Sequence, residues 1–227
     1  MTDRLILTLG VLGGTGKIGA ALALRWARAG YHVILGSRQE AKARQSADEL
    51  NASLERARIL GETNVAAAGH CDIAVLAVPY EAHAATLEEV RDRLPGKLLI
   101  DVAVPLHPEK KSMVWHPAAG SAAMEAHKIL GDRVQVAASF HNISAQHLRE
   151  DAAIACDVLV CADGDPARAQ TLALVAAAGM TGWDAGPLAN AGVIEGMTAI
   201  LIGINRRYKI QGAGIRITGV PAGGAAP

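Results

Sequence analysis

Aromatic residues are scarce in this chain of 227 residues, which contains three Trp, three Tyr and one Phe. Its 22 basic residues are balanced by 22 acidic ones, so the formal net charge at pH 7 is zero. A protein that binds nucleic acid needs a basic surface, and one that stacks on single-stranded bases needs aromatic rings. Both shortages argue against a nucleic-acid partner.

Cysteine is equally rare, with only Cys71, Cys156 and Cys161 in the chain. Three cysteines at irregular spacing are too few for a disulfide scaffold or a cysteine-based metal site. We therefore expect no metal site and three small core residues. Hydrophobic residues nevertheless make up 51% of the chain, which is too apolar for a disordered protein and sufficient for a large core.

No uninterrupted apolar run approaches the roughly 20 residues that a membrane-spanning helix needs. The apolar segment 5–12 follows a charged N-terminus and superficially resembles the core of a signal peptide. A glycine cluster follows it directly, however, and the buried first strand of a parallel sheet is also a continuous apolar run. We therefore expect a strand here, no membrane partner and a cytoplasmic location.

Apolar runs alternate with helical segments along the chain, which is the pattern of βαβ units. It predicts an α/β fold of the Rossmann type, with a doubly wound, mostly parallel sheet and a small C-terminal helical element. The predicted strands are 6–12, 31–36, 72–78, 97–102, 133–140, 156–162 and 182–185. The predicted helices are 17–29, 39–58, 81–94, 116–130, 166–178 and 188–204.

The glycine cluster contains the pattern G-x-G-x-x-G from Gly14 to Gly19. It follows a predicted strand and opens a predicted helix, which is the context in which this pattern marks a dinucleotide site. Glycines allow a tight turn and close backbone approach, and the helix N-terminus offers N–H groups to a pyrophosphate. A glycine-rich turn without a ligand is the alternative. The predicted cofactor contacts are Gly14, Thr15, Gly16, Lys17 and Ile18.

The end of the second predicted strand favours NADP over NAD. NAD-binding domains usually place an acidic residue here, whereas this chain has Ser37 and Arg38. Arg38 attracts a 2′-phosphate, Ser37 can donate a hydrogen bond, and Lys42 lies one helical turn further on. Basic residues are unfavourable at the positive end of a helix unless an anion binds there. We expect these three residues to bind the 2′-phosphate of NADP, the alternative being ordinary helix-start charges.

The chain resembles the NADPH-dependent reductases of coenzyme F420. The resemblance covers roughly residues 5–217 and is carried by segments 13–16, 36–38 with Lys42, 71–79, 136–145 and 184–188 with Asn190 and Glu195. Ferric-reductase domains of a mammalian membrane family share the glycine cradle and a similar strand end. The motifs therefore identify the superfamily more firmly than the substrate.

The resemblance implies direct hydride transfer between C4 of the nicotinamide and C5 of the deazaflavin ring of F420, without a catalytic acid or base. Catalysis then depends on proximity and orientation of the two rings. His141 and Asn142 follow a predicted strand, where ligands of α/β sheets bind, and are candidates for positioning a ring. A structural role for His141 at the strand end is the alternative. Further cofactor contacts are expected from Val78, Pro79, Ile143 and Ala145.

A change of pattern after Pro187 suggests two domains. We expect an NADP-binding Rossmann-type domain over residues 1–186 and a small C-terminal domain over 187–227 that completes the cleft. The helix 188–204 carries Glu195 as its only charge, so it is expected to be buried. A homodimer that buries this helix is therefore predicted.

Two other functions stay open at this point. The chain could be an NADPH-dependent reductase of another acceptor, such as a flavin, a ferric chelate or a small imine. It could also be a non-catalytic NADP-sensing module, which would bind NADPH without acceptor-dependent oxidation. Pyrroline-carboxylate-type reductases need a much longer helical C-terminal domain than this chain has.

Overall fold

The strands of the computed structural model, which describes residues 7–150 and 153–219, form one eight-stranded sheet. Their bounds are β1 Thr8–Leu12, β2 His32–Ser37, β3 Ile59–Thr63, β4 Ile73–Leu76, β5 Leu98–Asp101, β6 Gln135–Ala138, β7 Asp157–Ala162 and β8 Thr181–Asp184. The order is β3-β2-β1-β4-β5-β6-β7-β8, and only the β6–β7 pair is antiparallel. The first six strands have the order of the dinucleotide-binding fold, which confirms the predicted Rossmann-type architecture.

Helices cover both faces of this sheet. Their bounds are α1 Lys17–Arg28, α2 Glu40–Asn51, α3 Asn64–His70, α4 His83–Val90, α5 Ala122–Leu130, α6 Ala145–Arg149, α7 Asp165–Ala177 and α8 Ala191–Tyr208. Alternate residues of the strands feed two separate hydrophobic clusters, because successive side chains point to opposite faces. Val75 lies in the cluster that contains Trp26, whereas its neighbours Ala74 and Leu76 lie in the other.

Seven of the eight strands were predicted from the sequence, and β3 was missed. The helix predicted over 39–58 ends at Asn51, and the chain then turns back into an edge strand and α3. The Asn51 side chain makes this turn, since its Oδ1 accepts from Arg58 N and Ile59 N and its Nδ2 donates to Ile59 O. A short strand with a glycine in the middle has too weak a pattern to predict. Ile6, predicted as the start of β1, lies outside the described residues.

The helix predicted over 116–130 is also shorter than expected. It begins at Ala122, where Ser121 Oγ accepts a hydrogen bond from Met124 N at 3.0 Å as an N-cap. Residues 102–121 form no helix or strand and run over the surface between β5 and α5. The short helix α6 was likewise not predicted.

Within the single chain, the C-terminal helix is covered on one face only. One face of α8 is buried, including Ile194 and Ala199, but Val193 and Ile200 are 72% and 53% exposed. By length and composition alone, the segment Leu188–Tyr208 could cross a membrane, since its mean hydropathy is 1.4. Of its most apolar 18-residue stretch, 39% is buried inside the protein. One such helix is weak evidence for a membrane span, because partly buried helices of globular domains have the same composition.

The contact between β3 and α2 leads to a stability prediction. A Cβ atom on Gly61 would lie 2.2 Å from Arg44 N and 2.3 Å from the Ala43 carbonyl carbon, so an added methyl group must separate the two elements. We expect Gly61→Ala to lower the free energy of unfolding by about 2–3 kcal/mol in urea denaturation.

Gly69→Ala is the matched control. Gly69 lies on the exposed side of α3, where an added Cβ has its nearest neighbour at 3.9 Å. Because Ala favours helix over Gly by about 1 kcal/mol, this variant should be neutral or more stable. Equal losses in the two variants would contradict the assignment of Gly61 to a close backbone contact.

Candidate active site

The turn between β1 and α1 brings three backbone segments into close contact. The N–H group of Gly14 donates to Val11 O at 3.0 Å and to Gly36 O at 2.9 Å. A Cβ on Gly14 would lie 2.7 Å from Val11 O, and one on Gly13 would lie 2.5 Å from Val78 Cγ1. Gly13 also has a φ of +71°, in the left-handed region. Both glycines are therefore required by the fold itself.

Gly16 differs from these two glycines because it is exposed and less crowded. It is the N-cap of α1, no side chain caps this helix, and its first turn holds no acidic residue. The first N–H groups of α1 therefore remain available to an anion. A Cβ on Gly16 would meet only Gly13 O at 3.3 Å and Ala77 O at 3.7 Å. A ligand that approaches the backbone is the better explanation for glycine at this position.

A cavity of about 320 Å³ opens at this turn and extends to the start of α4. It contains seven of the predicted cofactor contacts. Gly14, Lys17 and Ile18 are not among its walls, and Ile18 packs against the core, so these residues offer backbone rather than side-chain groups. The lining residues are Gly13, Thr15, Gly16, Ser37, Arg38, Gln39, Lys42, Asn64, Ala77, Val78, Pro79, Ala82 and Thr86.

The basic residues predicted to select NADP lie together at the rim of this cavity. Arg38 and Lys42 are exposed, and neither makes an ion pair within residues 7–150 and 153–219. Ser37 is buried, and its Oγ accepts from Gln39 N at 3.2 Å, which leaves the hydroxyl hydrogen free to donate. Two unpaired cations beside a hydroxyl donor suit a phosphate group.

Asn64 is a cavity residue that the sequence did not reveal. Its side chain is 2% exposed, and its Oδ1 accepts from Gly13 N at 3.1 Å, so it holds the glycine turn in place. It begins α3 directly after the missed strand. Gly36 is the only residue in the sequence that relates to this contact. An added Cβ on Gly36 would lie 2.8 Å from Asn64 Oδ1, so a larger residue would collide with the Asn64 side chain.

The loop after β6 has an unusual backbone. Phe140 has a φ of +64°, which is rare for a residue other than glycine and is concentrated at functional sites. Its ring is buried and packs edge-to-face on Trp26, with centroids 5.8 Å apart. This packing holds the strained conformation, which directs the following residue, His141.

His141 is a buried imidazole with unused hydrogen-bonding capacity. It is 5% exposed, and neither ring nitrogen has a hydrogen-bond partner within the described residues. Burial lowers its pKa to about 4, although the carboxylate of Asp101 acts in the opposite direction, so the ring is neutral near pH 7. It lines a cavity of about 160 Å³ together with residues of α8 such as Thr198. A neutral imidazole of this kind can both donate to and accept from a ligand.

The neighbouring predicted contacts are already engaged within the protein. Asn142 Nδ2 donates to Asp157 O at 2.7 Å and to Cys156 Sγ at 3.3 Å. Ile143 is 7% exposed and packs in the core, and Ala145 is the first residue of α6. The structure brings these residues close to His141, but their side chains support the loop.

A buried ionic cluster lies where β5 ends, and no local pattern in the sequence predicts it. His83 and Asp101 are both fully buried, with His83 Nε2 at 2.7 Å from Asp101 Oδ2. Glu125 Oε1 lies 3.6 Å from the other ring nitrogen of His83. Burial lowers the pKa of His83, but the two carboxylates outweigh it, so the pKa is raised above its ordinary value. The two carboxylates therefore favour the protonated form of the ring.

Glu195 joins α8 to the N-terminus of α5. Its two carboxylate oxygens accept hydrogen bonds from Ala122 N at 2.8 Å and Ala123 N at 3.1 Å. Burial raises the pKa of Glu195 to about 8, while the two N–H donors act to lower it. The only charge of the predicted C-terminal helix is thus a helix cap.

The cysteines are buried and free, as predicted. In the described part of the chain, no group of three or more His, Cys, Asp or Glu side chains is placed to hold a metal ion.

The sheet order, the glycine turn and the basic rim together define an oxidoreductase of the Rossmann dinucleotide-binding type. The family model described as NADP oxidoreductase coenzyme F420-dependent matches residues 8–105. The F420-dependent NADP reductase of Methanothermobacter marburgensis is 39% identical, over 95% of this chain and 100% of that protein. The enzyme of the same name from Methanocaldococcus jannaschii is 34% identical, over 93% and 98%. The chain belongs to the F420-dependent NADP reductase family.

Solved structures share the fold at lower sequence identity. A crystal structure from Arthrobacter sp. FB24 superimposes with a TM-score of 0.79 at 21% identity, covering 93% of this chain and 99% of that one. An imine reductase from Bacillus cereus BAG3X2 gives a TM-score of 0.61 at 20% identity, covering 89% and 62%. At these identities the likeness concerns the fold alone.

The open position of Gly16 allows the anion site to be tested without damage to the fold. We expect Gly16→Ala to raise the dissociation constant for NADPH at least roughly tenfold, because the methyl group occupies the space that a phosphate must approach. The melting temperature should change little. Fluorescence titration with NADPH and thermal denaturation measure the two quantities, and unchanged affinity would contradict the assignment.

Proposed function

We propose that this chain transfers a hydride reversibly between NADP(H) and coenzyme F420. The observation that carries this proposal is its 39% identity to an F420-dependent NADP reductase along that protein's whole length. The cavity beside the glycine turn, with Arg38 and Lys42 unpaired at its rim, supports the same assignment.

The proposed NADP site uses both backbone and side-chain groups. The N–H groups of Thr15, Lys17 and Ile18 bind the pyrophosphate, together with the positive end of the α1 dipole, while the Gly16 N–H group donates to Gly13 O within the turn. Ser37, Arg38 and Lys42 bind the 2′-phosphate, and Val78 and Pro79 form the wall that leads from the pyrophosphate toward the nicotinamide. Gly14 contributes by shaping the turn.

The proposed catalysis requires orientation rather than acid–base chemistry. When both are bound, NADPH supplies a hydride from C4 of its nicotinamide and F420 accepts it at C5 of the deazaflavin. The role of the protein is to hold the two rings face to face and to exclude water. We assign His141 to a carbonyl or amide group of one ring, since its nitrogens have no hydrogen-bond partner among residues 7–150 and 153–219. Asn142, Ile143 and Ala145 shape the same loop.

The domain division and the location stay proposals. We infer an NADP-binding domain over residues 1–186 and a small C-terminal domain over 187–227 that completes the cleft. The cap that Glu195 provides to α5 supports this, because it fixes the C-terminal helix on the first domain. A cytoplasmic location stays a prediction from the sequence.

The oligomeric state that we infer is a homodimer formed through α8. Val193 and Ile200 are exposed, and the partly exposed Met197 and Ile204 complete one stripe at helical spacing. Because an apolar stripe of this length is unfavourable in water, a second copy of the chain is its simplest partner.

Ile200→Glu tests the homodimer. A buried carboxylate in the middle of the stripe should dissociate the dimer, so the mass from light scattering should fall to that of one chain. Leu60→Glu is the control, because Leu60 is 62% exposed on β3, at the far edge of the sheet. A wild-type protein that is already monomeric, or an Ile200→Glu variant that stays dimeric, would contradict this interface.

An acceptor assay tests the proposed reaction. Purified protein mixed with NADPH and oxidised F420 should bleach the visible band of the deazaflavin, and NADP⁺ with reduced F420 should restore it. Parallel reactions contain a flavin, a ferric chelate or a cyclic imine. Reduction of one of these while F420 is left unreduced would contradict the proposal, and binding of NADPH without oxidation by any acceptor would indicate a sensing module.

Cofactor preference tests the phosphate assignment. Arg38→Asp should lower the ratio of kcat/KM for NADPH to that for NADH by roughly 10- to 100-fold, because a carboxylate repels the 2′-phosphate and can bind a ribose hydroxyl. Arg44→Asp makes the same charge change on α2, the helix that follows Arg38, but outside the cavity, and should leave the ratio almost unchanged. An unaltered ratio in Arg38→Asp would mean that the 2′-phosphate binds elsewhere.

A further inference from the structure

The buried pair of His83 and Asp101 has no role in the proposed hydride transfer, which needs no acid or base at the reacting carbons. Both side chains are fully buried. Removing two charges from water costs several kcal/mol, and their attraction often does no more than offset this cost. Stability alone is therefore a poor explanation for the pair.

Its position relates the pair to the cleft. The pyrophosphate site lies at the end of β1 and the 2′-phosphate site at the end of β2, so a bound dinucleotide extends in the other direction, toward β4 and β5. Asp101 is the last residue of β5, and His83 is the first residue of α4. Ala82 and Thr86, on either side of His83 along the chain, line the cavity. His83 is thus buried directly beside residues that form the cavity wall.

A chain of contacts leads outward from His83. Glu125 Oε1 lies 3.6 Å from His83 Nδ1, and Glu125 Oε2 accepts a hydrogen bond from Tyr80 Oη at 2.7 Å. The Tyr80 ring lies 5.7 Å from the His83 ring and contacts Trp115 edge-to-face at 5.8 Å between centroids. We refer to Asp101, His83, Glu125, Tyr80 and Trp115 as the clamp.

The clamp holds a long irregular segment, residues 102–121, at two points. Trp115 lies within the segment, and Asp101 Oδ1 accepts from Ala103 N at 2.9 Å where the segment begins. Irregular connections of this length inside a compact fold are uncommon and usually functional. The segment starts at the strand end that faces the nicotinamide side of the cleft.

Helix α8 holds the opposite side of segment 102–121. An added Cβ on Gly192 would lie 2.7 Å from Gly120 O, and one on Gly196 would lie 3.0 Å from Val114 Cγ1. These glycines allow the segment to pack closely on the helix. Its position is therefore determined from two sides, by the clamp and by α8.

We propose that His83 is a positioning residue for the hydride transfer, which fixes Tyr80 and Trp115 and thereby places segment 102–121 beside the nicotinamide end of the cleft. The inference rests on the proposed function, because ring alignment matters only if two rings react there. A displacement of about 1 Å in such an arrangement can lower the rate about 100-fold. An imidazole between two carboxylates suits this role, since Asp101 lies at one ring nitrogen and Glu125, which binds the tyrosine, lies at the other.

His83→Gln provides the first test. Gln can still donate to Asp101 but cannot also reach Glu125, so the chain of contacts is broken at one point. We expect kcat for F420 reduction by NADPH to fall roughly 10- to 100-fold, while KM for NADPH changes less than about threefold. The isotope effect on kcat with NADPH deuterated at C4 should rise, because misalignment slows the hydride step. His70→Gln, an exposed histidine paired with Glu62, should change none of these.

Two further variants keep the inference testable if His83→Gln fails to fold. Tyr80→Phe removes only the hydroxyl group that binds Glu125, and Trp115→Leu removes the ring contact between the segment and Tyr80. Each should lower kcat about fivefold or more with a raised isotope effect. If the clamp acts as a unit, the double variant His83→Gln with Tyr80→Phe should lose no more than the worse single variant.

The outcomes separate this inference from the proposed function. Unchanged kcat within about twofold in both Tyr80→Phe and Trp115→Leu would overturn the role of the clamp, even if the wild type reduces F420. If the wild type reduces another acceptor instead, the proposed function fails. The role of the clamp is then tested by measuring kcat of the same variants with that acceptor. A wild type that binds NADPH but reduces no acceptor overturns both.

Discussion

The close approach of backbones at the β1–α1 turn is the constraint on which the rest of the structure depends. One N–H group, that of Gly14, is shared between the end of β1 and the end of β2, and Asn64 holds the residue before it. No side chain then stands between the first turn of α1 and the cleft. The uncapped helix end, the basic rim and the wall at the end of β4 meet at one point because the sheet order places them there.

Charge is distributed in opposite ways in the two halves of the cleft. At the adenosine side, Arg38 and Lys42 are exposed and unpaired within the described residues, which suits a ligand that brings its own negative charge. At the end of β5, by contrast, His83 and Asp101 are fully buried and paired with each other at 2.7 Å. The zero net charge of the chain conceals this asymmetry.

The sequence predicted the parts of the site that depend on local chain order. Glycines after an apolar strand and a basic residue at the next strand end are neighbours in sequence, so Gly16 and Arg38 were found. Asn64, His83 and Asp101 act across the fold, between elements that are far apart in the chain, and no local pattern marks them. The apolar composition of α8 predicted burial, and the single chain buries one face of this helix while Val193 and Ile200 on the other face are exposed.

The packing of Phe140 on Trp26 has a consequence beyond the core. Trp26 belongs to α1, the helix that follows the glycine turn, whereas Phe140 directly precedes His141. The aromatic contact packs against the left-handed backbone at Phe140, and the indole N–H donates to Leu174 O at 2.9 Å. A single tryptophan thus connects the helix of the glycine turn to the loop that carries His141. A substitution of Trp26 would therefore disturb both parts of the proposed site together.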